Sequence, residues 1–113
     1  MKKSDKKLDN QIRTELTELC DFATETCEGF TWLTHLVDYS RFPSSLKIVF
    51  VFDTNTNLVS FSDSTAEQEL MRQLAKQLSF INITPKELLS HVRYDTEEAC
   101  SNEHQGKWAK RLS

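Results

Sequence analysis

Apolar residues recur every three or four positions between Leu8 and Cys27, a spacing that predicts one amphipathic helix. The buried stripe consists of Leu8, Ile12, Leu16, Leu19, Cys20, Ala23 and Cys27. Glu28 and Gly29 follow it, and glycine readily adopts the left-handed conformation that ends many helices. The pattern therefore predicts a helix that begins near Leu8 and stops at Gly29.

Two extended segments come next. Phe30–Tyr39 is rich in aromatic, β-branched and threonine residues, which fit a pleated strand better than a helix. Leu46–Phe52 is almost continuously apolar, which is typical of a central strand covered on at least one face. Pro43 and two serines lie between the two runs and favour a turn. Residues 30–52 therefore predict an antiparallel hairpin.

The chain beyond residue 52 predicts a second long helix. Residues 53–57 are turn formers, and residues 58–61 fit either a short strand or the lead-in to a helix. Ser64 and Glu67 have the spacing of a capping box, in which each side chain satisfies a backbone N–H of the first turn. The apolar stripe that follows consists of Leu70, Met71, Leu74, Leu78 and Ile81.

The remaining elements complete an α+β fold. Thr84, Pro85 and Glu87 repeat the start signal and predict a short helix over about residues 85–90. His91–Thr96 alternates between polar and apolar residues, as a strand does. The predicted order is α-β-β-α-α-β, with the antiparallel hairpin and a third strand packed against two main helices in two layers.

The length of 113 residues is typical of one domain. We predict a single domain over residues 1–113, with a flexible basic N-terminus over about residues 1–7 and a polar, basic C-terminal tail over about residues 97–113. No apolar run approaches the roughly 20 residues of a membrane span, and residues 1–10 lack the hydrophobic region of a signal peptide. The three cysteines form no C-x-x-C pair, which indicates reduced thiols. We expect a cytoplasmic protein with no membrane partner.

The net charge of -3 is unevenly distributed. Residues 1–13 carry five basic and two acidic side chains, and residues 107–113 carry three basic ones, so each end has a charge of +3. Residues 14–106 carry six basic and fifteen acidic side chains, which leaves a body of -9. The ends are either solvated termini or contacts to an anionic partner. The candidate nucleic-acid-binding residues are Lys2, Lys3, Lys6, Lys7, Lys107, Lys110 and Arg111.

The sequence gives weaker support for a metal site or a catalytic site. Cys100 and His104 have a C-x-x-x-H spacing, but the second close pair that tetrahedral zinc requires is missing, so we predict no metal. His35, Asp53 and Asp95 are the available residues for a hydrolase or a metal-dependent nuclease, although the acid-x-Lys strand of such nucleases is absent. The glycine-rich nucleotide motifs are also absent, and we expect no cofactor.

The C-terminal residues carry a family resemblance. Gly106 to Leu112 (G-K-W-A-K-R-L) places Lys107 and Arg111 on one helical face. This segment resembles the end of the recognition helix in Fis, and the whole chain resembles small bacterial proteins grouped as Fis-family transcriptional regulators. The resemblance implies DNA binding by a dimer through a helix-turn-helix, although Fis itself is all-helical. The element order is also similar to type II KH-like domains, without their G-x-x-G loop.

Together these observations favour a non-enzymatic regulatory module that binds a macromolecule. Nucleic acid, contacted by its phosphates at the basic ends, is the leading partner. A protein partner on the acidic body is the first alternative. A homodimer joined at the exposed edge of the hairpin is the second.

Overall fold

The structure is a computed structural model that describes residues 2–113. The helices are α1 (Lys3–Thr26), α2 (Asn55–Phe61), α3 (Thr65–Ser79), α4 (Glu97–His104) and α5 (Trp108–Arg111). The strands are β1 (Phe30–Leu36), β2 (Lys47–Phe52) and β3 (Val92–Thr96). Short 3-10 turns occupy Tyr39–Arg41 and Leu88–His91. None of the helices in the described part of the chain combines the length and hydrophobicity needed to span a membrane.

The three strands form one mixed sheet in the order β1-β2-β3. β1 and β2 are the antiparallel hairpin that the sequence predicts, with Leu33 opposite Phe50. β3 pairs with β2 in parallel, with Tyr94 opposite Phe50 on the other side. Parallel strands need a long crossover connection, which α2 and α3 supply. The predicted α+β class and the order α-β-β-α-α-β are confirmed.

The main core lies between the sheet and the two long helices. Alternate β2 residues Ile48, Phe50 and Phe52 belong to this core and are fully buried. The α1 stripe and the α3 stripe supply the other side through Ile12, Leu16, Leu19, Ala23, Leu70, Leu74 and Leu78. The two predicted helical faces therefore bury one face of the sheet, as expected for a two-layer packing.

The C-terminal segment covers the opposite face. Successive strand residues point to opposite sides of a sheet. Leu33 belongs to the main core, and its neighbour Trp32 instead packs edge-to-face against Trp108 of α5, with ring centroids 4.9 Å apart. Residues 97–113, predicted as a polar tail, thus contain α4 and α5, and α5 lies against the sheet.

Two predicted helices are displaced. α1 begins at Lys3 instead of Leu8, so the residues predicted as a flexible end include its first turns. The short helix between β2 and β3 precedes the long one instead of following it. Thr54 caps it by accepting a hydrogen bond from the Asn57 backbone at 3.1 Å, because residues that favour turns also cap helices.

The prediction of a short α-helix over residues 85–90 is wrong. That segment forms only the 3-10 turn Leu88–His91, and Glu87 makes no side-chain cap. Ile83 and Leu88 pack against the core on either side of the Thr84-Pro85 start signal, and this tertiary contact outweighs local propensity. The sheet also differs from the all-helical architecture that the resemblance to Fis implies.

The turn into β1 requires Gly29. Its φ is +83°, and a Cβ atom there would lie 2.7 Å from Asp53 Oδ1 and from Asn57. Gly106 has a similar φ of +77°, but a Cβ atom there would meet nothing within 4 Å. Substitutions at the two glycines therefore distinguish the cost of backbone strain, which both share, from the cost of a steric clash, which only Gly29 has.

Replacing Gly29 with alanine should destabilise the protein more than replacing Gly106. Gly106→Ala should cost about 1–2 kcal/mol, the penalty for a left-handed non-glycine residue. Gly29→Ala adds the clash with Asp53 and Asn57 to that penalty. Urea unfolding of both variants measures the difference, and equal losses would show that the space around Gly29 is not restrictive.

Candidate functional site

The N-terminal basic residues extend beyond the core. Lys2, Lys3, Lys6 and Lys7 are exposed, and the first fully buried residue of α1 is Ile12. Within residues 2–113 none of these four lysines forms an ion pair with a carboxylate. Lys3, Lys6 and Lys7 share a shallow surface with polar residues of the next two turns. The amines are therefore free to meet an external anion.

The C-terminal basic residues divide into two kinds. Lys107 and Lys110 are exposed, as expected for ligand contacts. Arg111 instead makes a bidentate ion pair with Asp95, with Nε 2.6 Å from Oδ2 and Nη2 2.9 Å from Oδ1. Its Nη1 lies 3.0 Å from Glu103 Oε2. The Arg111 side chain is only 13% exposed, so its charge serves the fold.

The Asp95–Arg111 pair is electrostatically well matched. Burial alone would raise the pKa of Asp95, but hydrogen bonds from Arg111 and from the Thr96 backbone outweigh burial and hold that pKa below its usual range. The Asp95 hydrogen bond raises the pKa of Arg111. Both groups stay charged, and the two hydrogen bonds between them offset the free-energy cost of burying the charges.

Two indole groups, one on β1 and one on α5, add a second attachment of the C-terminal segment to the sheet. Trp32 Nε1 donates to one carboxylate oxygen of Glu97 at 2.5 Å, and Trp108 Nε1 donates to the other at 3.1 Å. One carboxylate at the start of α4 thus joins β1 to α5. This bridge and the Asp95–Arg111 pair together hold α5 on the sheet.

The two basic ends lie at opposite ends of β1. Asp9 of α1 contacts His35 near the end of β1, whereas Trp32 near its start contacts Trp108 of α5. Three strand residues, about 10 Å, separate Trp32 from His35, and a further six helical residues, about 9 Å, lead from Asp9 out to Lys3. The lysines of the two ends therefore do not form one continuous surface.

The candidate hydrolase residues do not converge. His35 pairs with Ile48 on β2, and Asp53 follows β2 five residues later, about 16 Å along the strand. Asp95 lies opposite Val51 and is bound by Arg111. The sheet register therefore keeps His35 out of hydrogen-bond reach of Asp53, and a centre built from these three residues is not formed.

Asp53 has a local role at the start of α2. Its Oδ1 accepts hydrogen bonds from the Thr54 backbone at 2.6 Å and from Asn57 Nδ2 at 2.8 Å. The Asn57 hydrogen bond, followed by that of Thr54, lowers the pKa of Asp53. The carboxylate therefore organises the turn after β2.

Cys100 and His104 lie one turn apart on α4 without further ligands. Cys100 is fully buried, and burial raises the pKa of its thiol. His104 Nδ1 lies 3.1 Å from Arg111 Nη1. Among the described residues no group of three or more His, Cys, Asp or Glu side chains is arranged to hold a metal ion. Cys100 packs as a small apolar residue.

A groove with a volume of about 950 Å³ lies between α1 and β1. Consecutive residues 33–37 form one wall. The other wall is α1, where Asp9, Arg13, Thr17 and Asp21 form a row with four-residue spacing. Sequence reasoning did not find this groove, because the row is polar and resembles an ordinary solvated helix face.

Asp9 closes one end of this groove. Its Oδ1 accepts from Tyr39 Oη at 2.5 Å and lies 2.9 Å from His35 Nε2, and its Oδ2 accepts from Arg13 Nε at 2.8 Å. The Tyr39 hydrogen bond, followed by that of His35, lowers the pKa of Asp9 to about 2. Burial and the Asp9 carboxylate raise the pKa of Tyr39. A carboxylate with so low a pKa is a poor general base at neutral pH. The hydrogen bonds of Asp9 to His35 and Tyr39 instead attach α1 to the end of β1.

Comparison with protein-family models, curated proteins and solved structures finds no match for this chain.

Removing the Arg111 side chain should destabilise the fold strongly. Arg111→Ala leaves Asp95 buried without its partner, which should cost about 3–5 kcal/mol of unfolding free energy. The adjacent exposed Lys110→Ala should change it by less than about 0.5 kcal/mol. Urea unfolding measures both. A double variant without Asp95 and Arg111 should recover part of the loss, whereas equal effects of Arg111→Ala and Lys110→Ala would contradict the role of the pair.

Acid should destabilise the protein partly through Asp9. Because its folded pKa is about 2 and its ordinary value is 3.8, its contribution to stability is complete above about pH 3.8 and is lost as the pH falls toward 2. Asp9→Asn should therefore be less stable at neutral pH and lose less stability over this acid range. Urea midpoints across pH measure the slope. Glu25→Gln, an exposed change on the same helix, should retain the wild-type slope, and an unchanged slope in Asp9→Asn would refute the assignment.

Proposed function

We propose that this protein is a non-enzymatic module that binds the phosphate backbone of nucleic acid through the basic end of α1. The contact residues are Lys2, Lys3, Lys6 and Lys7. The observation that carries the proposal is that four exposed amines, none of them neutralised by a carboxylate within residues 2–113, occupy a helix end that extends beyond the core. Lysines of this kind contact phosphates without reading the bases.

The geometry restricts where nucleic acid binds. The body between residues 14 and 106 carries a charge of -9, which repels a polyanion. Nucleic acid therefore meets the α1 end and avoids the acidic surface. A few phosphate contacts of this type give weak, sequence-independent and strongly salt-dependent binding.

Lys107 and Lys110 form a secondary contact at the other end of β1. They remain exposed beside α5, whereas Arg111 is bound to Asp95. The resemblance of this segment to the Fis recognition helix therefore supports phosphate contact by two lysines more than base reading by a helix. α5 spans only Trp108–Arg111, barely one turn.

Loss of the α1 lysines should weaken binding and flatten its salt dependence. The variant Lys3→Gln/Lys6→Gln/Lys7→Gln removes three phosphate contacts, which should reduce the slope of log K against log salt by about 2–3 for duplex DNA. Fluorescence anisotropy with labelled duplex DNA, single-stranded DNA and RNA across a salt series measures the slope.

The matched control removes the same charge elsewhere. Arg72→Gln/Lys76→Gln/Lys86→Gln changes three exposed basic residues outside α1 and should reduce the slope less than the α1 variant does. Lys107→Gln/Lys110→Gln should reduce it by a smaller amount than the α1 variant. An absence of binding at low salt, or equal losses in the α1 variant and the control, would overturn the proposal.

A further inference from the structure

β1 has an open outer edge. It is an edge strand in the order β1-β2-β3, and between Trp32 and Leu36 its backbone forms no hydrogen bond outside the ladder with β2, within the part of the chain that the structure describes. Natural edge strands are usually blunted by lysine, proline, a β-bulge, inward charge or a covering element. β1 (F-T-W-L-T-H-L) contains no lysine, arginine, carboxylate or proline, and its register irregularity between Phe30 and Trp32 leaves Trp32–Leu36 regularly paired.

The opposite edge of the sheet is protected. β3 carries Arg93 and Asp95 within five residues, and α2 packs beside it. The two edges of this sheet therefore differ in the way expected if β3 faces solvent and β1 faces another strand.

α1 borders the open edge with a charge pattern that is complementary to itself. Arg13, Thr17 and Asp21 succeed one another at four-residue intervals along the wall of the groove. Arg13 is 71% exposed and uses only its Nε in the contact with Asp9, and Asp21 is exposed. Thr17 lies midway between the two charges. A twofold axis near Thr17 would place each Arg13 opposite Asp21 of a second copy.

We propose that a second copy of this chain pairs with β1 in an antiparallel arrangement, about a twofold axis that passes near Thr34 and Thr17. Thr34 is the centre of the regularly paired segment Trp32–Leu36, so it faces Thr34 of the second copy, a favourable cross-strand pair. The two three-stranded sheets become one continuous sheet of six strands. Because α1 borders β1 on one face, the two α1 helices meet in antiparallel orientation.

The same arrangement covers apolar surface. Val37 after the edge strand and Cys20 on α1 are half-buried and line the groove. They gain contacts when the second α1 approaches. The backbone supplies strand pairing, the apolar side chains supply burial, and the Arg13 and Asp21 pairs determine orientation and register, since a parallel arrangement would place like charges together.

The test begins with the mass in solution, measured by light scattering during size-exclusion chromatography without nucleic acid. The wild-type chain should have a mass of twice 13.1 kDa. Asp21→Lys places two lysines opposite two arginines across the interface and should raise the dissociation constant by about tenfold or more. Arg13→Glu should do the same by opposing carboxylates.

Mixing the two single variants provides the decisive result. In a mixed dimer each new acid at position 13 faces the new base at position 21, and the two native charges face one another, so both contacts become attractive. The mixture should therefore form dimers that neither variant forms alone. Recovery on mixing also shows that both variants are folded.

The control is Glu69→Lys, an equal charge change at an exposed α3 position outside the groove, which should leave the mass unchanged. Thr34→Lys tests the strand directly, because it places two amines at the axis and should dissociate the dimer. A monomer at every concentration would overturn the proposal. So would a dimer that Asp21→Lys and Glu69→Lys affect equally, since the interface would then lie elsewhere. None of these outcomes depends on nucleic-acid binding.

Discussion

The complete burial of β2 is the constraint on which the rest of the fold depends. Ile48, Phe50 and Phe52 face the core made with α1 and α3, while Val49 and Val51 are equally inaccessible but lie outside that core. A strand that is apolar on both sides needs a cover on both faces of the sheet. The long helices provide one cover, and the C-terminal segment must provide the other. Its two attachments, Asp95 to Arg111 and Glu97 to both tryptophans, follow from that need.

The packing of the C-terminal segment on the sheet changes how its basic residues are interpreted. A basic segment at the end of a chain suggests a ligand contact, but Arg111 is drawn into the fold by a carboxylate on β3. The four lysines at the start of α1, in contrast, stay exposed and form no ion pair with a carboxylate within residues 2–113. The function proposed for the protein rests on this difference between engaged and free cations, which net charge alone does not reveal.

The two proposals are connected by the geometry of α1. In the proposed dimer the antiparallel helices cross near Thr17, and the middle of the basic end, at Asp5, lies twelve residues or about 18 Å from that point in each copy. The two basic ends are then separated by about 36 Å and, because of the twofold axis, face the same side. This spacing is close to one turn of B-form DNA, about 34–36 Å, at which dimeric proteins contact successive half-sites.

The sequence by itself determined the elements whose signals are local. The stripe from Leu8 to Cys27, the apolar run of β2, the cap at Ser64 and the left-handed Gly29 each depend on neighbours a few residues away, so periodicity and capping chemistry were sufficient to predict them and the α+β class. The tertiary structure decided everything that required a distant partner. It placed a short helix after Thr54 and suppressed the one after Thr84, separated His35 from Asp53, and formed the groove along β1. It also bound Arg111 to Asp95, sixteen residues away. The physical reason is that burial and ion pairing depend on distance in space, and the spacing of residues along a chain specifies that distance only within a helix, a strand or a turn.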